Sequence, residues 1–92
     1  MSENKISPKV RMYCTGYCPY CTMAEQLLVR KGVQVIEKIR VDLDPQRRSE
    51  MVARTARRTV PQIYVGEIHV GGFDDLSALD RTGKLDPLLS GE

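Results

Sequence analysis

The sequence has no long apolar run and little net charge, and each shortage excludes a class of protein. No stretch approaches the ~20 apolar residues that cross a bilayer, and the first eight residues lack the apolar core of a secretory signal. A formal net charge of +2, from 14 basic and 12 acidic residues, is too small to indicate nucleic-acid binding. We therefore expect neither a membrane nor a nucleic acid among its partners.

Cysteine is scarce as well, and its three copies are an odd number. A secreted scaffold held by disulfides normally carries an even number of cysteines at wider spacings. The cysteines are therefore expected to do chemistry or bind metal in a reducing compartment, which favours a cytoplasmic protein. With 92 residues, 41% of them hydrophobic, the chain is predicted to form one domain over 1–92. Residues 1–8 are polar, end in Pro8 and are predicted to be a loose arm.

The remaining pattern predicts elements in the order β-α-β-α-β-β-α. Strands are predicted over 9–13, 33–41, 62–65 and 68–70. Helices are predicted over 18–31, over 45–54, and from a cap at Asp74 to about residue 82, with a short closing helix at 86–89. The first two strands are joined through a helix, so they should be parallel, and Gly66 suits a type II′ hairpin turn between the last two. This predicts an α/β fold, a four-stranded mixed sheet flanked by helices.

Two cysteines, Cys18 and Cys21, are predicted to lie one turn apart at the start of the first helix. The first N–H groups of a helix lack internal partners and the dipole is positive there, so a thiolate at Cys18 is stabilised. Cys21 lies deeper, against the apolar face, where desolvation disfavours its thiolate. Cys18 is therefore predicted to attack, and Cys21 to resolve the mixed disulfide.

Three other interpretations of the pair are weaker. A structural zinc site usually needs four ligands, and only Cys14 and His69 remain, without a second pair. A structural disulfide between residues three apart closes a very small loop and stabilises little. A chance pair on a core face does not account for the strand, loop and helix context that is typical of a redox pair. We expect a redox site and no metal.

Three motifs, in this order, make the sequence resemble a dithiol glutaredoxin over about residues 9–89. They are Cys18-Pro19-Tyr20-Cys21, then Thr59-Val60-Pro61 directly before a strand, then Gly71-Gly72-Phe73-Asp74-Asp75-Leu76 opening a helix. The segment 79–89 also resembles the small bacterial members. The resemblance implies a thioredoxin-like fold and a glutathione-dependent thiol–disulfide oxidoreductase. Its substrates would be protein–glutathione mixed disulfides and protein disulfides, with glutathione as co-substrate and no permanently bound cofactor. We expect a monomer.

The resemblance also implies which residues bind glutathione: Tyr20, Thr59, Val60, Pro61, Gly72, Phe73 and Asp74. It implies a cis Val60–Pro61 bond, which leaves the Val60 backbone open to pair with the cysteinyl unit of glutathione. The N–H groups of Phe73 and Asp74 would hold the γ-glutamyl carboxylate, and the Asp74 side chain its ammonium. The Tyr20 ring would lie beside the mixed disulfide.

Plainer roles stay open for these residues. Asp74 alone is equally typical of a helix N-cap, Pro61 of a strand start, and Tyr20 of an exposed aromatic. Cys14 fits either a small buried hydrophobic residue or a regulatory thiol.

The sequence also departs from the family at two positions. Thr15 stands where many relatives have a lysine that contacts the glycyl carboxylate, and Phe73 where relatives often carry a cysteine. Arg48 or Arg58 are candidates to replace the lysine, although the arginine run is also typical of a solvated face.

Two other functions remain as alternatives. One is a thioredoxin-type electron donor, which Pro19-Tyr20 between the cysteines and the third motif disfavour. The other is an iron–sulfur carrier, because related monothiol proteins hold a bridging cluster with one cysteine and glutathione. Pro19 and Cys21 disfavour that second function.

Overall fold

The computed structural model describes residues 8–91, so seven of the eight residues predicted as a loose arm lie outside the described part. The elements in chain order are β1 (Val10–Cys14), α1 (Pro19–Arg30), β2 (Ile36–Arg40), α2 (Pro45–Thr55), β3 (Gln62–Val65), β4 (Ile68–Gly71), α3 (Phe73–Arg81) and α4 (Leu85–Ser90). Their order confirms the predicted elements, including the closing helix. None of the helices between residues 8 and 91 is long and apolar enough to cross a membrane.

The four strands form one mixed sheet in the order β2-β1-β3-β4, as predicted. β1 pairs with β2 in parallel and with β3 in antiparallel, and β3 pairs with β4 in antiparallel. Gly66 has φ +61°, the value that a type II′ turn requires at its first central position. Tyr13 lies opposite Gln62. The last residues of β1 therefore lie beside the first residues of β3. This pairing brings the cysteine motif, which follows β1, close to Thr59-Val60-Pro61, which precedes β3.

Each face of the sheet carries its own apolar core, because the side chains of β1 alternate between the faces. On the first face, alternate β1 residues pack against α1, Leu76 of α3 and Leu85 of α4; the buried residues of β1 and α1 there are Val10, Met12, Cys14, Cys21, Ala24, Leu27 and Leu28. On the second face, Tyr13 packs with Met51 of α2. The cysteine pair thus begins a helix whose apolar side is held against the central strand.

The second strand is shorter than the predicted 33–41, because the end of α1 occupies the residues before it. Gly32 has φ +96°, and the Val33 N–H donates to the Leu28 carbonyl at 3.1 Å, which closes the helix in a Schellman-type turn. Pairing with β1 starts only where Val10 lies opposite Ile36. Val35, which lies between the helix end at Val33 and the first paired residue of β2, Ile36, is 79% exposed.

The predicted cap of α3 at Asp74 is wrong, because Gly72 occupies the N-cap position. The Gly72 N–H donates to the Asp75 carboxylate at 2.9 Å, so the side chain three residues along closes the helix end. Asp74 is the second residue of the helix and stays exposed. Asp74 is therefore not the N-cap residue. Its carboxylate lies in the first turn of α3, where the helix dipole is positive.

A non-glycine residue, Ala56, ends α2 in the left-handed conformation, at φ 59° and ψ 21°. Its N–H donates to the Val52 carbonyl at 2.8 Å. An alanine in this region meets a steric cost that glycine avoids.

We expect Ala56→Gly to raise the free energy of unfolding by about 1 kcal/mol, because glycine is the favoured residue at a left-handed helix end. The matched control is Ala53→Gly within α2, which should lower it by about 1 kcal/mol because glycine weakens a helix interior. Urea unfolding monitored by circular dichroism measures both changes. A lower free energy of unfolding in both variants would contradict the assignment of a steric cost to Ala56.

Candidate active site

The first thiol, that of Cys18, lies at the N-cap of α1 and is half-buried. Its backbone is extended, and Pro19 follows as the first helical residue, where a missing N–H costs nothing. The Cys21 N–H donates to the Cys18 sulfur at 3.1 Å. A free helix amide is thus aimed at the sulfur, which stabilises its thiolate form and confirms the predicted place of Cys18 at the helix start.

The second thiol, that of Cys21, is only 6% exposed and belongs to the core between α1 and β1. Burial, and then its hydrogen bond to Cys18, raise the pKa of Cys21 to about 12. The Thr15 backbone acts in the opposite direction and lowers the pKa of Cys21. The two thiols are therefore unequal: one is accessible and supported by a helix amide, and the other is buried and protonated at neutral pH.

We expect iodoacetamide to modify Cys18 first, since burial raises the pKa of Cys21 and also that of Cys14. Alkylation of the reduced protein over a pH series, followed by peptide mapping, measures the order. Cys18→Ser is the control and should lose the fast phase. Simultaneous modification of the three thiols would contradict the helix-terminus argument.

The segment before β3 lies beside the accessible thiol. The Val60–Pro61 peptide bond is cis, as predicted. The Cys18 sulfur lies 3.9 Å from the Val60 carbonyl oxygen, a long contact for a thiol donor. The Val60 backbone is thus the peptide group adjacent to the nucleophile.

A buried polar side chain that the sequence analysis missed, Gln62, fixes this segment. Its amide nitrogen donates to the Thr59 carbonyl at 3.1 Å, and its amide oxygen lies 2.8 Å from His69 Nε2. Burial, and then the charge of Arg57, lower the pKa of His69, so its imidazole is neutral at pH 7. The neutral ring can donate from Nε2, because the Gln62 oxygen is the acceptor. A polar residue in a buried strand position is the signal that could have identified Gln62.

An ion pair holds the start of α3 against the segment that precedes β3. Arg57 Nη1 lies 2.9 Å from the Asp75 carboxylate, which also accepts the Gly72 N–H. Arg57, and then that N–H, lower the pKa of Asp75. On the other side, the rings of Tyr20 and Phe73 lie 6.3 Å apart between centroids. These contacts bring the third motif against the first two.

The three motifs line one open groove of about 310 Å³. It contains all seven residues predicted to bind glutathione, together with three that were not predicted, and its lining is Tyr20, Arg57, Thr59, Val60, Pro61, Gln62, Gly72, Phe73, Asp74 and Asp75. The groove carries charge of both signs, from one guanidinium and two carboxylates. The Val60–Pro61 segment and the two aromatic rings supply its apolar lining.

The arginine in this groove is Arg57, and the two candidates named from the sequence lie elsewhere. Arg48 donates instead to the Arg58 carbonyl at 3.5 Å, and neither residue lines the groove. Thr15 lies on the other flank of the cysteine pair, beside Cys14. Across residues 8–91, no three His, Cys, Asp or Glu side chains are grouped to hold a metal ion.

Comparisons with known proteins agree with this arrangement. A family model described as Glutaredoxin matches residues 10–70. A glutaredoxin from Pseudomonas aeruginosa is 54% identical over 83 residues, which cover 90% of this chain and 98% of that protein. The solution structure of a Brucella melitensis glutaredoxin matches with a TM-score of 0.81 and 46% identity, covering 94% of each chain. A buckwheat glutaredoxin–glutathione complex matches with a TM-score of 0.83 and 28% identity, covering 92% of this chain and 78% of that one. The predicted thioredoxin-like fold is confirmed.

Proposed function

This chain belongs to the glutaredoxin family, and we propose that it uses glutathione to reduce protein–glutathione mixed disulfides and protein disulfides. The family supports thiol–disulfide oxidoreductase activity. The observation that carries the glutathione dependence is the groove beside Cys18, whose charges of both signs suit a zwitterionic peptide. We propose that the protein works as a cytoplasmic monomer, since the pair needs a reducing compartment and one chain supplies both thiols and the groove.

The first step is attack by the Cys18 thiolate on the glutathione sulfur of a mixed disulfide. A bond forms between the Cys18 sulfur and glutathione, the original disulfide breaks, and the protein thiolate leaves with the electron pair and takes a proton. The helix amide that meets the Cys18 sulfur at 3.1 Å supports the attacking thiolate. A second glutathione thiolate then attacks the bound glutathione sulfur, which releases oxidised glutathione and restores the Cys18 thiolate.

Reduction of a protein disulfide needs Cys21 as well. Cys18 first forms a covalent bond to one sulfur of the substrate, and the Cys21 thiolate then attacks Cys18 and releases the substrate. The hydrogen bond between the Cys21 thiol and the Cys18 sulfur is one of the causes that raise the pKa of Cys21. This cause is removed once the Cys18 sulfur is part of a disulfide. Cys21 is therefore easier to deprotonate when it is needed. Two glutathione molecules reduce the resulting Cys18–Cys21 disulfide.

Glutathione would bind along the groove with its sulfur at Cys18. Its cysteinyl backbone would pair with Val60, which lies beside the nucleophile. Its γ-glutamyl carboxylate would meet the N–H groups of Phe73 and Asp74, in the first turn of α3. Asp75 is already bonded to Arg57 and Gly72, whereas Asp74 is exposed at the groove. The Asp74 carboxylate is therefore the group proposed to meet the γ-glutamyl ammonium.

We expect Asp74→Lys to raise the KM for a glutathionylated substrate about thirtyfold, with a smaller change in kcat. The substitution replaces the attraction between the Asp74 carboxylate and the γ-glutamyl ammonium with a repulsion, and each is worth about 1 kcal/mol at ~4 Å in water. Because this contact does not involve the reacting sulfurs, it affects binding more than the chemical step. Steady-state kinetics measure the effect. The matched control is Glu67→Lys, the same charge change at an exposed turn that does not line the groove. An unchanged KM for Asp74→Lys would remove Asp74 from the binding site.

The proposal is tested by comparing two disulfides as reagents for Cys18. In Cys21→Ser, oxidised glutathione should form a single mixed disulfide at Cys18. This reaction should be faster than the reaction of Cys18 with 2-hydroxyethyl disulfide, because that reagent lacks the glutamyl and glycyl ends. Asp74→Lys should slow the first reagent and leave the second unchanged, since only the first uses the groove. Equal rates for both reagents in both proteins would show that the groove does not recognise glutathione.

A further inference from the structure

One nucleophile, the thiol of Cys14, has no part in the mechanism above. It is the last residue of β1, it is 4% exposed, and it lies on the same face of the strand as Val10 and Met12. That face packs against α1, so Cys14 shares one apolar core with Cys21. Both buried thiols therefore point into the same interface between strand and helix.

Two further observations bring Cys14 to the redox pair. A cavity of about 200 Å³, on the flank away from the glutathione groove, is lined by Cys14, Cys18 and Cys21 together. The charges of the sulfurs also act on one another, because Cys14 and Cys18 both raise the pKa of Cys21. Cys14 thus lies at the same cavity as the redox pair.

We propose that Cys14 is a second disulfide partner of Cys21. The Cys14 thiolate attacks the Cys21 sulfur of the Cys18–Cys21 disulfide, so the Cys14–Cys21 bond forms while the Cys18–Cys21 bond breaks. The electron pair leaves on the Cys18 sulfur, and the proton of Cys14 goes to solvent. One disulfide replaces another, so no oxidant is consumed. The inference rests on the proposed function, which supplies the Cys18–Cys21 disulfide.

The chemistry of the three thiols favours this direction of attack. Cys18 is the better leaving group, because the Cys21 N–H stabilises its thiolate. Burial raises the pKa of Cys14, against the nearby charges of Lys38 and Arg40, so its thiolate is a minor species and the exchange is slower than turnover. The product has a buried disulfide and a free Cys18 at the groove. The oxidised protein would then keep a nucleophile for glutathione chemistry.

The sequence allows the disulfides to be mapped directly. All three cysteines lie on one tryptic peptide, 12–30, but chymotrypsin can cut after Tyr13, Tyr17 and Tyr20, so each cysteine falls on its own peptide. The protein is oxidised with oxidised glutathione, alkylated in the native state with iodoacetamide, and digested without reduction. Monomers are first selected on a non-reducing gel.

In the oxidised wild-type protein we expect a Cys14–Cys21 cross-link together with a Cys18 thiol that has been modified either by iodoacetamide or by glutathione. In Cys14→Ala the cross-link should be Cys18–Cys21, and both modifications of Cys18, by iodoacetamide and by glutathione, should fall to background. Cys14→Val, which suits a buried strand position, serves if the alanine variant unfolds. Oxidised wild-type protein that holds only Cys18–Cys21, with an unmodified Cys14, overturns the proposal.

A second variant tests whether the sulfurs can meet at all. Oxidation of Cys18→Ser should give the Cys14–Cys21 bond directly, and Cys18→Ser with Cys14→Ala should give no intrachain bond. Absence of the bond from Cys18→Ser overturns the proposal as well. Deglutathionylation by the wild-type protein is measured in parallel, so failure of the cross-link is distinguished from failure of the glutathione-dependent function.

Discussion

Cys18→Ser should lower both deglutathionylation and protein-disulfide reduction at least about a thousandfold, to background, because a serine hydroxyl is not ionised at neutral pH and cannot carry sulfur exchange. The loss should occur without a change of fold, since Cys18 is only half-buried at the helix start. Coupled turnover assays on a glutathionylated peptide and on a protein disulfide measure the two activities, with circular dichroism as the control for folding. Activity above background in this variant would show that another thiol is the nucleophile.

Cys21→Ser should separate the two reactions. Removal of glutathione from a mixed disulfide needs only Cys18 and a second glutathione, so this activity should persist, or rise as the closing side reaction is lost. Reduction of a protein disulfide should fall at least about a hundredfold, because the covalent intermediate then waits for glutathione from solution instead of a neighbouring thiol of very high effective concentration.

These activities are best compared in a Cys14→Ala background, where no third thiol can resolve the intermediate. The two single variants are assayed on both substrates under the same glutathione concentration. Should Cys21→Ser lose deglutathionylation as completely as Cys18→Ser, the assigned roles of the two thiols are wrong.

The features that the sequence predicted well are those that local chemistry determines. Pro19 after Cys18, and Pro45 after the capping Asp44, start their helices where the residue types indicate. The strand predicted over 9–13 forms, and the alternation of its side chains places Met12 in the core. The motifs of the family also contain eight of the ten residues that line the groove.

The features that the sequence did not predict depend on competition or on distance. Val33 is β-branched, yet its N–H closes α1, so the strand begins three residues later. Asp74 is a good capping residue, yet Gly72 occupies the N-cap position and the Asp75 carboxylate accepts the Gly72 N–H.

Long-range pairs were out of reach of the sequence for a different reason. Arg57 and Asp75 are 18 positions apart, and only the packing of α3 beside the start of β3 brings them within 2.9 Å. No local pattern distinguishes Arg57 from Arg58, although one lines the groove and the other does not. The bond between Gln62 and His69 likewise forms only across the β3–β4 hairpin.

The central claim is that glutathione itself drives turnover at Cys18. The most direct measurement is the rate at which the wild-type protein turns over a glutathione mixed disulfide with a glutathione-regenerating couple, and with glutathione replaced by an equal concentration of free cysteine or omitted. The account predicts saturable turnover with glutathione and a rate at background in the other two conditions. Equal turnover without glutathione, with electrons supplied by a thioredoxin-type reductase, would contradict it.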